Sequence, residues 1–228
     1  MLKSIEYSKI ISTKKFNNKT QILVEVEGLD IIEKIKRLET DLCEIRIPDA
    51  RVISNSQRKM VYANIKDIAL YTGDNPEYIK EILKYNFCIE TGLDYFSLSD
   101  CSVDLAREFI TFLIDFILKH NIPLSDLGLN RASDIDAYLY SCLFYRRCAI
   151  SGKINADIHH CTGSAVGMGN NRLTIDHRNL EIIALSREWH NKVHQNGEEE
   201  IFEAYKVCGI KGDEKLLDKL GLNYEDIT

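Results

Sequence analysis

Asp157-Ile158-His159-His160-Cys161, then Asn179-Leu180-Glu181-Ile182-Ile183-Ala184-Leu185, then His190-Asn191-Lys192-Val193-His194 is the stretch on which the reading of this chain turns. Five of the six histidines fall between residues 159 and 194. On a helix, His190 and His194 are one turn apart, so both imidazoles project from one face and can hold one metal ion. In an extended segment the neighbours His159 and His160 point to opposite sides. One of them can then reach the ion while the other faces a substrate. A loop after Cys161, followed by a strand from Asn179, brings these parts together as a strand–strand–helix unit. Hydrolysis assisted by a metal needs this division of parts, an ion to stabilise charge on a phosphate and a separate base for water. The alternative for the same histidines is a structural zinc that does no chemistry. Cys161 beside the pair reads as a buried packing cysteine rather than a nucleophile. The loop Val166-Gly167-Met168-Gly169-Asn170-Asn171-Arg172 is rich in turns but is no P-loop, because no Gly-Lys-Ser/Thr follows; Arg172 is a candidate phosphate clamp.

Working outward, the segments before this unit read as mostly helical. Met60, Val61, Ile65, Ile68 and Ala69 make one apolar face of a helix that starts near Ser54 and stops at Gly73. Asn75-Pro76-Glu77 restarts a helix that runs to about Tyr85. Further helices are predicted over Ser102–His120, Ser133–Arg147, Ser186–Gln195, Glu198–Tyr205 and Asp213–Leu220. Nearer the start, Lys14–Lys19 reads as a turn between two β-rich runs, the second being Gln21–Val26. Ile31–Leu38 has helical spacing and Glu44–Ile47 alternates like a strand. The fold class is therefore α+β: a mostly helical N-terminal region with a small β element, over residues 1–147, followed by the histidine-bearing unit over 148–228. Arg51, Arg58, Lys59 and Lys66, with Tyr62 and Tyr71 interleaved, line a helix opening at Arg51. That edge suits single-stranded or branched DNA; the plainer reading is a solvated helix face.

Composition sets outer limits. The 228 residues carry a net charge of −6 and are 45% hydrophobic, which excludes a disordered chain and a histone-like coat for DNA. The seven cysteines are odd in number and widely spaced, with no Cys-x-x-Cys pair, so reduced thiols and a cytoplasmic location are expected. Met1–Glu6 lacks the basic head and apolar run of a signal peptide, and the apolar stretch Phe109–Leu118 is broken by Asp115 and too short to span a bilayer.

The pattern His-His…Asn…His-x₃-His in a strand–loop–strand–helix context resembles the HNH (ββα-metal) nucleases, particularly the branch with three histidine ligands. The stretches Val166–Arg172 and Ala184–His190 are similar to HNH nucleases encoded by phages and prophages of Gram-positive bacteria. The resemblance implies that His159, His190 and His194 bind one divalent ion (Mg, Mn, Zn or Ni), that His160 is the general base, and that Asn179 holds the base ring or backbone in place. Asp157 would orient a ligand from behind. The spacing from Asn179 to His190 is slightly long for the family, which leaves His177 as a rival for the middle position. Many such domains carry two Cys-x-x-Cys pairs holding a structural zinc. Here those positions read Cys148-Ala149-Ile150-Ser151 and Ser186-Arg187-Glu188-Trp189, so only Cys148 remains and apolar packing with Trp189 has to replace the staple. Ser54-x-x-Gln57-Arg58, Lys66-Asp67-Ile68-Ala69 and Tyr78-Ile79-Lys80 resemble the NinB-type recombination mediators of lambdoid phages, which bind single-stranded DNA. Together these resemblances imply an endonuclease of phage recombination or replication, acting on single-stranded or branched DNA in the cytoplasm of a bacterial host. Its candidate partners are a single-strand-binding protein and further copies of the chain, and no membrane. The alternative is a non-catalytic single-stranded-DNA-binding mediator with a structural metal site.

Overall fold

The structure is a computed structural model that describes residues 8–17, 19–26, 33, 36, 51–164 and 175–224. By internal contacts it divides into two compact units, Met1–Ile47 and Pro48–Thr228. The first contains an antiparallel hairpin of β1 (Ser8–Phe16) and β2 (Lys19–Val26), with a register shift between Ile10 and Ser12. The turn is tighter than Lys14–Lys19 predicts. The strands reach Phe16 on one side and start at Lys19 on the other, and Asn17 takes the left-handed backbone (φ 53°) that asparagine tolerates. Of the expected helix Ile31–Leu38, Glu33 and Lys36 are described and both are helical; the expected strand Glu44–Ile47 lies outside the described residues.

In the second unit the helix boundaries follow their caps. Helix α1 (Asn55–Thr72) begins behind Ser54, whose hydroxyl accepts from Gln57 N while the Gln57 side chain accepts from Ser54 N. Residues Arg51–Ile53, expected to open this helix, instead run extended, with Ile53 N donating to Cys101 O (2.8 Å) and Val103 N to Arg51 O (3.0 Å). Arg51 therefore does not share a helix face with Arg58 and Lys59. Helix α2 (Pro76–Thr91) is capped by Asn75 and continues past Tyr85 to Gly92, because Phe87 still has a core to enter. Helix α3 (Val103–Lys119) starts behind Ser102 and buries Phe109, Ile110, Leu113 and Ile117 against α1, α2 and α5. A short α4 (Gly128–Arg131) precedes α5 (Ile135–Phe144), which is trimmed at both ends relative to Ser133–Arg147. Asp134 caps its start, and Arg146 turns left-handed (φ 54°) past its end. Phe87, Phe96 and Phe109 meet edge to face, with ring centroids 5.3–5.8 Å apart. A buried ion pair joins Asp67 Oδ2 to Arg131 Nη2 at 3.2 Å, and Ser125 N donates to the same oxygen.

The second half of this unit is an antiparallel sheet in the order β3 (Asp157–His160), β4 (Glu181–Leu185), β5 (Ile210–Lys211), with helices α6 (Arg187–Asn196), α7 (Glu198–Tyr205) and α8 (Glu214–Leu220). The central β4 buries Ile182 to Leu185 and sets the register Asp157↔Leu185 to His160↔Ile182 on one side and Ile182↔Ile210 on the other. Gly209 precedes β5 because a side chain there would overlap the Cys161 sulfur. Packing runs across residue 147: Tyr138, Leu139, Cys142 and Leu143 of α5 are buried in the same core as Ala149 and β4, and the Tyr138 hydroxyl donates to Ala149 O (2.9 Å). The core is thus continuous across the division expected at 147/148. Among the described residues, no helix is long and apolar enough to cross a membrane.

Candidate metal centre

Ser186, whose hydroxyl accepts from Trp189 N, starts α6 directly after β4, so the helix lies beside the strand pair. Helical spacing then puts His190 and His194 on the face toward β3, with ring centroids 4.8 Å apart. Strand alternation turns His159 into the same space, 5.0 Å from the His190 ring and 5.2 Å from the His194 ring. One nitrogen from each imidazole lies within 4.8 Å of the others. His159 is buried (3% exposed), His190 half-buried and His194 exposed, so the cluster is closed at its base and open at one side. Burial lowers the His190 pKa, and the neighbouring His159 and His194 rings lower it further. The His190 imidazole is consequently neutral at neutral pH, as coordination requires. Three imidazole nitrogen donors with an open side fit a divalent transition ion of the kind that catalytic sites hold, rather than a closed four-ligand structural site.

His160, the next residue on β3, faces the other way, and its ring centroid is 5.4 Å from that of His177. His177 is fully buried; its backbone N donates to Asn223 O (2.9 Å) and Nδ1 lies 2.9 Å from the same oxygen. Nδ1 therefore carries the proton, and Nε2 has no hydrogen-bond partner among the described residues. Asn179 is exposed in the turn before β4. The His177 ring thus stands beside His160, while Asn179 is exposed. Asp157, also on β3, reaches His190 Nδ1 at 3.7 Å while pairing with Arg187 (Nε to Oδ2, 3.1 Å; Nη2 to Oδ1, 3.2 Å). Arg172 lies outside the described residues.

One residue of the site escaped the sequence reading. The Glu198 carboxylate sits 2.9 Å from His159 Nε2 and accepts from Thr162 N with both oxygens (3.0 and 2.9 Å). In sequence it is the first of three glutamates opening α7 and looks like a solvated run; the signal lies in Gly197, whose φ of 97° turns the chain between α6 and α7. Cys161 is buried against Gly209, and burial, followed by the charges of Glu198 and Glu181, pushes its thiol up to about 12, so it packs rather than attacks.

The two knuckle positions are joined without metal. Cys148 N donates to Lys153 O and Gly152 N to Cys148 O, which closes a turn; Ala149 N donates to Ala184 O on β4 (each 2.8 Å). Lys153 Nζ pairs with Glu188 Oε2 (3.0 Å) at the start of α6, and Lys192 pairs with its other oxygen (2.9 Å). The Lys192 and Lys153 bonds hold the Glu188 carboxyl down at about 2. Trp189 packs edge to face on Tyr205 (4.8 Å) under the Lys192 ammonium (4.3 Å). These pairs are exposed and screened by solvent, so the staple is chiefly the buried Cys148–Ile150 turn against β4.

Arg58 and Lys59 differ in how free they are. The Arg58 guanidinium donates to Leu98 O (3.2 Å) and Ser99 O (3.1 Å) and so holds the loop before α3, whereas Lys59 is exposed, as are Arg51, Lys66, Tyr62 and Tyr71.

Paired strands and a helix thus bring three imidazoles together, with a further histidine on the opposite face of the first strand. The chain belongs to the family described as "Putative HNHc nuclease", whose model matches residues 22–223. Membership of a nuclease family points to metal-dependent nuclease activity and implies DNA as the substrate class. No curated protein and no solved structure matches the chain.

Proposed function

We propose that this protein is an HNH endonuclease that hydrolyses phosphodiester bonds in single-stranded or branched DNA during phage recombination or replication, with residues 148–228 cutting and residues 1–147 holding the DNA. The observation that carries the reading is the convergence of His159, His190 and His194, whose ring centroids lie 4.8–5.2 Å apart, with His160 on the opposite face of the same strand. His159, His190 and His194 would hold one divalent ion. Their all-nitrogen donor set suits a borderline ion such as Zn or Ni better than the harder Mn or Mg. When bound, the ion supplies electrostatic stabilisation of the charge that builds on the phosphate and on the leaving oxygen.

His160 accepts the proton of the attacking water, and its side of the strand gives it a place apart from the ligands. His177 backs the His160 ring in the role that the family pattern gave to Asn179. Asp157 stands behind His190, as expected of a group that orients a ligand. Arg172 remains the candidate phosphate clamp. Arg51, Lys59 and Lys66 are exposed cations of the DNA-holding region, and Arg58 contributes by fixing the loop before α3.

The test is nicking of single-stranded, branched and duplex oligonucleotides by the wild type and by His160→Ala, with and without a chelator. Cleavage by the wild type that needs metal and is lost in His160→Ala supports the proposal. DNA binding with no cleavage under any divalent ion returns the protein to the class of non-catalytic mediators with a structural metal.

A further inference from the structure

We propose that Glu198 is the residue that fixes the tautomer and ring orientation of His159, presenting its Nδ1 to the metal; the proposal rests on the metal reading of the three-histidine cluster.

Glu198 meets His159 through a short contact, Oε2 to Nε2 at 2.9 Å, around a ring that is 3% exposed. A carboxylate only accepts hydrogen bonds, so Nε2 has to carry the proton, and the neutral ring then has its lone pair on Nδ1. The carboxylate is itself held: Thr162 N, three residues beyond His159, donates to both of its oxygens. Glu198 is thus held by the His159 ring and by Thr162 N, two groups of one chain segment, which restrains both the ring and the carboxylate.

Helix electrostatics do not account for this arrangement. Glu198, Glu199 and Glu200 all lie in the first turn of α7, where any of them complements the helix dipole. Glu199 and Glu200 are exposed; only the Glu198 side chain is turned inward, 17% exposed. Nor is Glu198 neutralised as Asp157 is. The Asp157 carboxylate is shared with Arg187 and stands 3.7 Å from its histidine, whereas among the described residues Glu198 pairs with no Lys or Arg. Its charge is therefore directed through one imidazole. Carboxylates placed behind ligating histidines fix the tautomer and raise the basicity of the ligand, and their removal typically costs about 10–100-fold in metal affinity.

The experiment compares wild type, Glu198→Ala and Glu198→Gln by two readouts. The first is ¹⁵N NMR of the histidine rings in metal-free protein. The wild type should show His159 as the Nε2–H tautomer and Glu198→Ala a mixture. The second is a cobalt(II) titration followed by visible absorption, with His190→Ala/His194→Ala marking loss of the site. Glu198→Ala should bind cobalt about 10–100-fold more weakly with an unchanged spectrum at saturation, and Glu198→Gln, whose amide oxygen still accepts, should fall between. Thermal melts identify a variant that has unfolded, and Glu198→Gln then carries the comparison. An unchanged tautomer and affinity in both variants would overturn the proposal. A saturated spectrum altered by Glu198→Ala would overturn it too, making Glu198 a ligand. A tautomer change without cobalt uptake by the wild type would refute the metal reading and the metal-facing part of the proposal, leaving only the Glu198–His159 coupling.

Discussion

Replacing His159 and His160 one at a time should give two different defects, although the residues are neighbours. His159 lies 5.0 and 5.2 Å, ring to ring, from His190 and His194, while the His160 ring turns toward His177 at 5.4 Å. His159→Ala removes one of three ligands and leaves the Glu198 carboxylate with only its Thr162 bonds. Its loss of metal affinity should exceed the roughly 10–100-fold typical of an outer partner, and added metal should restore part of the cleavage. His160→Ala leaves the three ligands in place, so metal affinity should change less than about threefold, well below that outer-partner range. What it removes is the acceptor of water's proton, a loss of about 10²–10⁴ in rate, or roughly 3–5 kcal/mol of barrier, that no excess of metal recovers. Calorimetric metal titration and nicking rates at saturating metal measure the two quantities independently. Equal losses of metal affinity in both variants would refute the reasoning from strand alternation, and the base would then have to be sought elsewhere, with His177 first.

Stability should fall with alkali above about pH 9. Burial raises the Cys142 thiol to about 12 and raises Tyr138 as well, while burial followed by the bonds to Asp213 and Asp115 puts Tyr140 and Tyr145 at about 12. Each folded-state pKa stands above the ordinary values of 9.0 (Cys) and 10.0 (Tyr), so the contribution is complete below those values and is lost as pH rises through 9–12. Thermal melts should show it, with a shallower decline in Tyr140→Phe/Tyr145→Phe; a double variant that declines as steeply would contradict the assignment. Arg58→Ala should lower stability by about 1–2 kcal/mol in urea denaturation, through its bonds to Leu98 O and Ser99 O, whereas Lys59→Ala should leave stability alone and reduce the salt dependence of DNA binding. Arg131→Met, which strands the buried Asp67 carboxylate, should cost about 3–5 kcal/mol, and Arg131→Met/Asp67→Leu should recover most of it; a double variant no more stable than the single would refute the burial argument.

Most helix ends were legible because they are set by neighbours in sequence. Ser54, Asn75-Pro76, Ser102, Ser186 and Asp213 all cap the helices they were expected to start. The meeting of His159 with His190 and His194 was legible for the same reason, since it follows from strand alternation and helical spacing within one short unit. What escaped depends on long-range pairing. Arg51 reads as helical, but Cys101 and Val103 hold its segment extended. The two-residue β5 exists through Ile182, and nothing local marks it. Asn179 fits the family pattern by position, yet the Asn223 carbonyl, 46 residues away, draws His177 into the interior instead. Glu198 is 39 residues from His159, and only the fold distinguishes it from Glu199 and Glu200.

The central claim is that three histidines make one metal site, and calorimetric titration of a divalent transition ion tests it most directly. The wild type should bind one ion, with affinity falling in acid because each imidazole must be neutral to coordinate, and His190→Ala/His194→Ala should bind none. Identical binding curves for the two proteins would contradict the account.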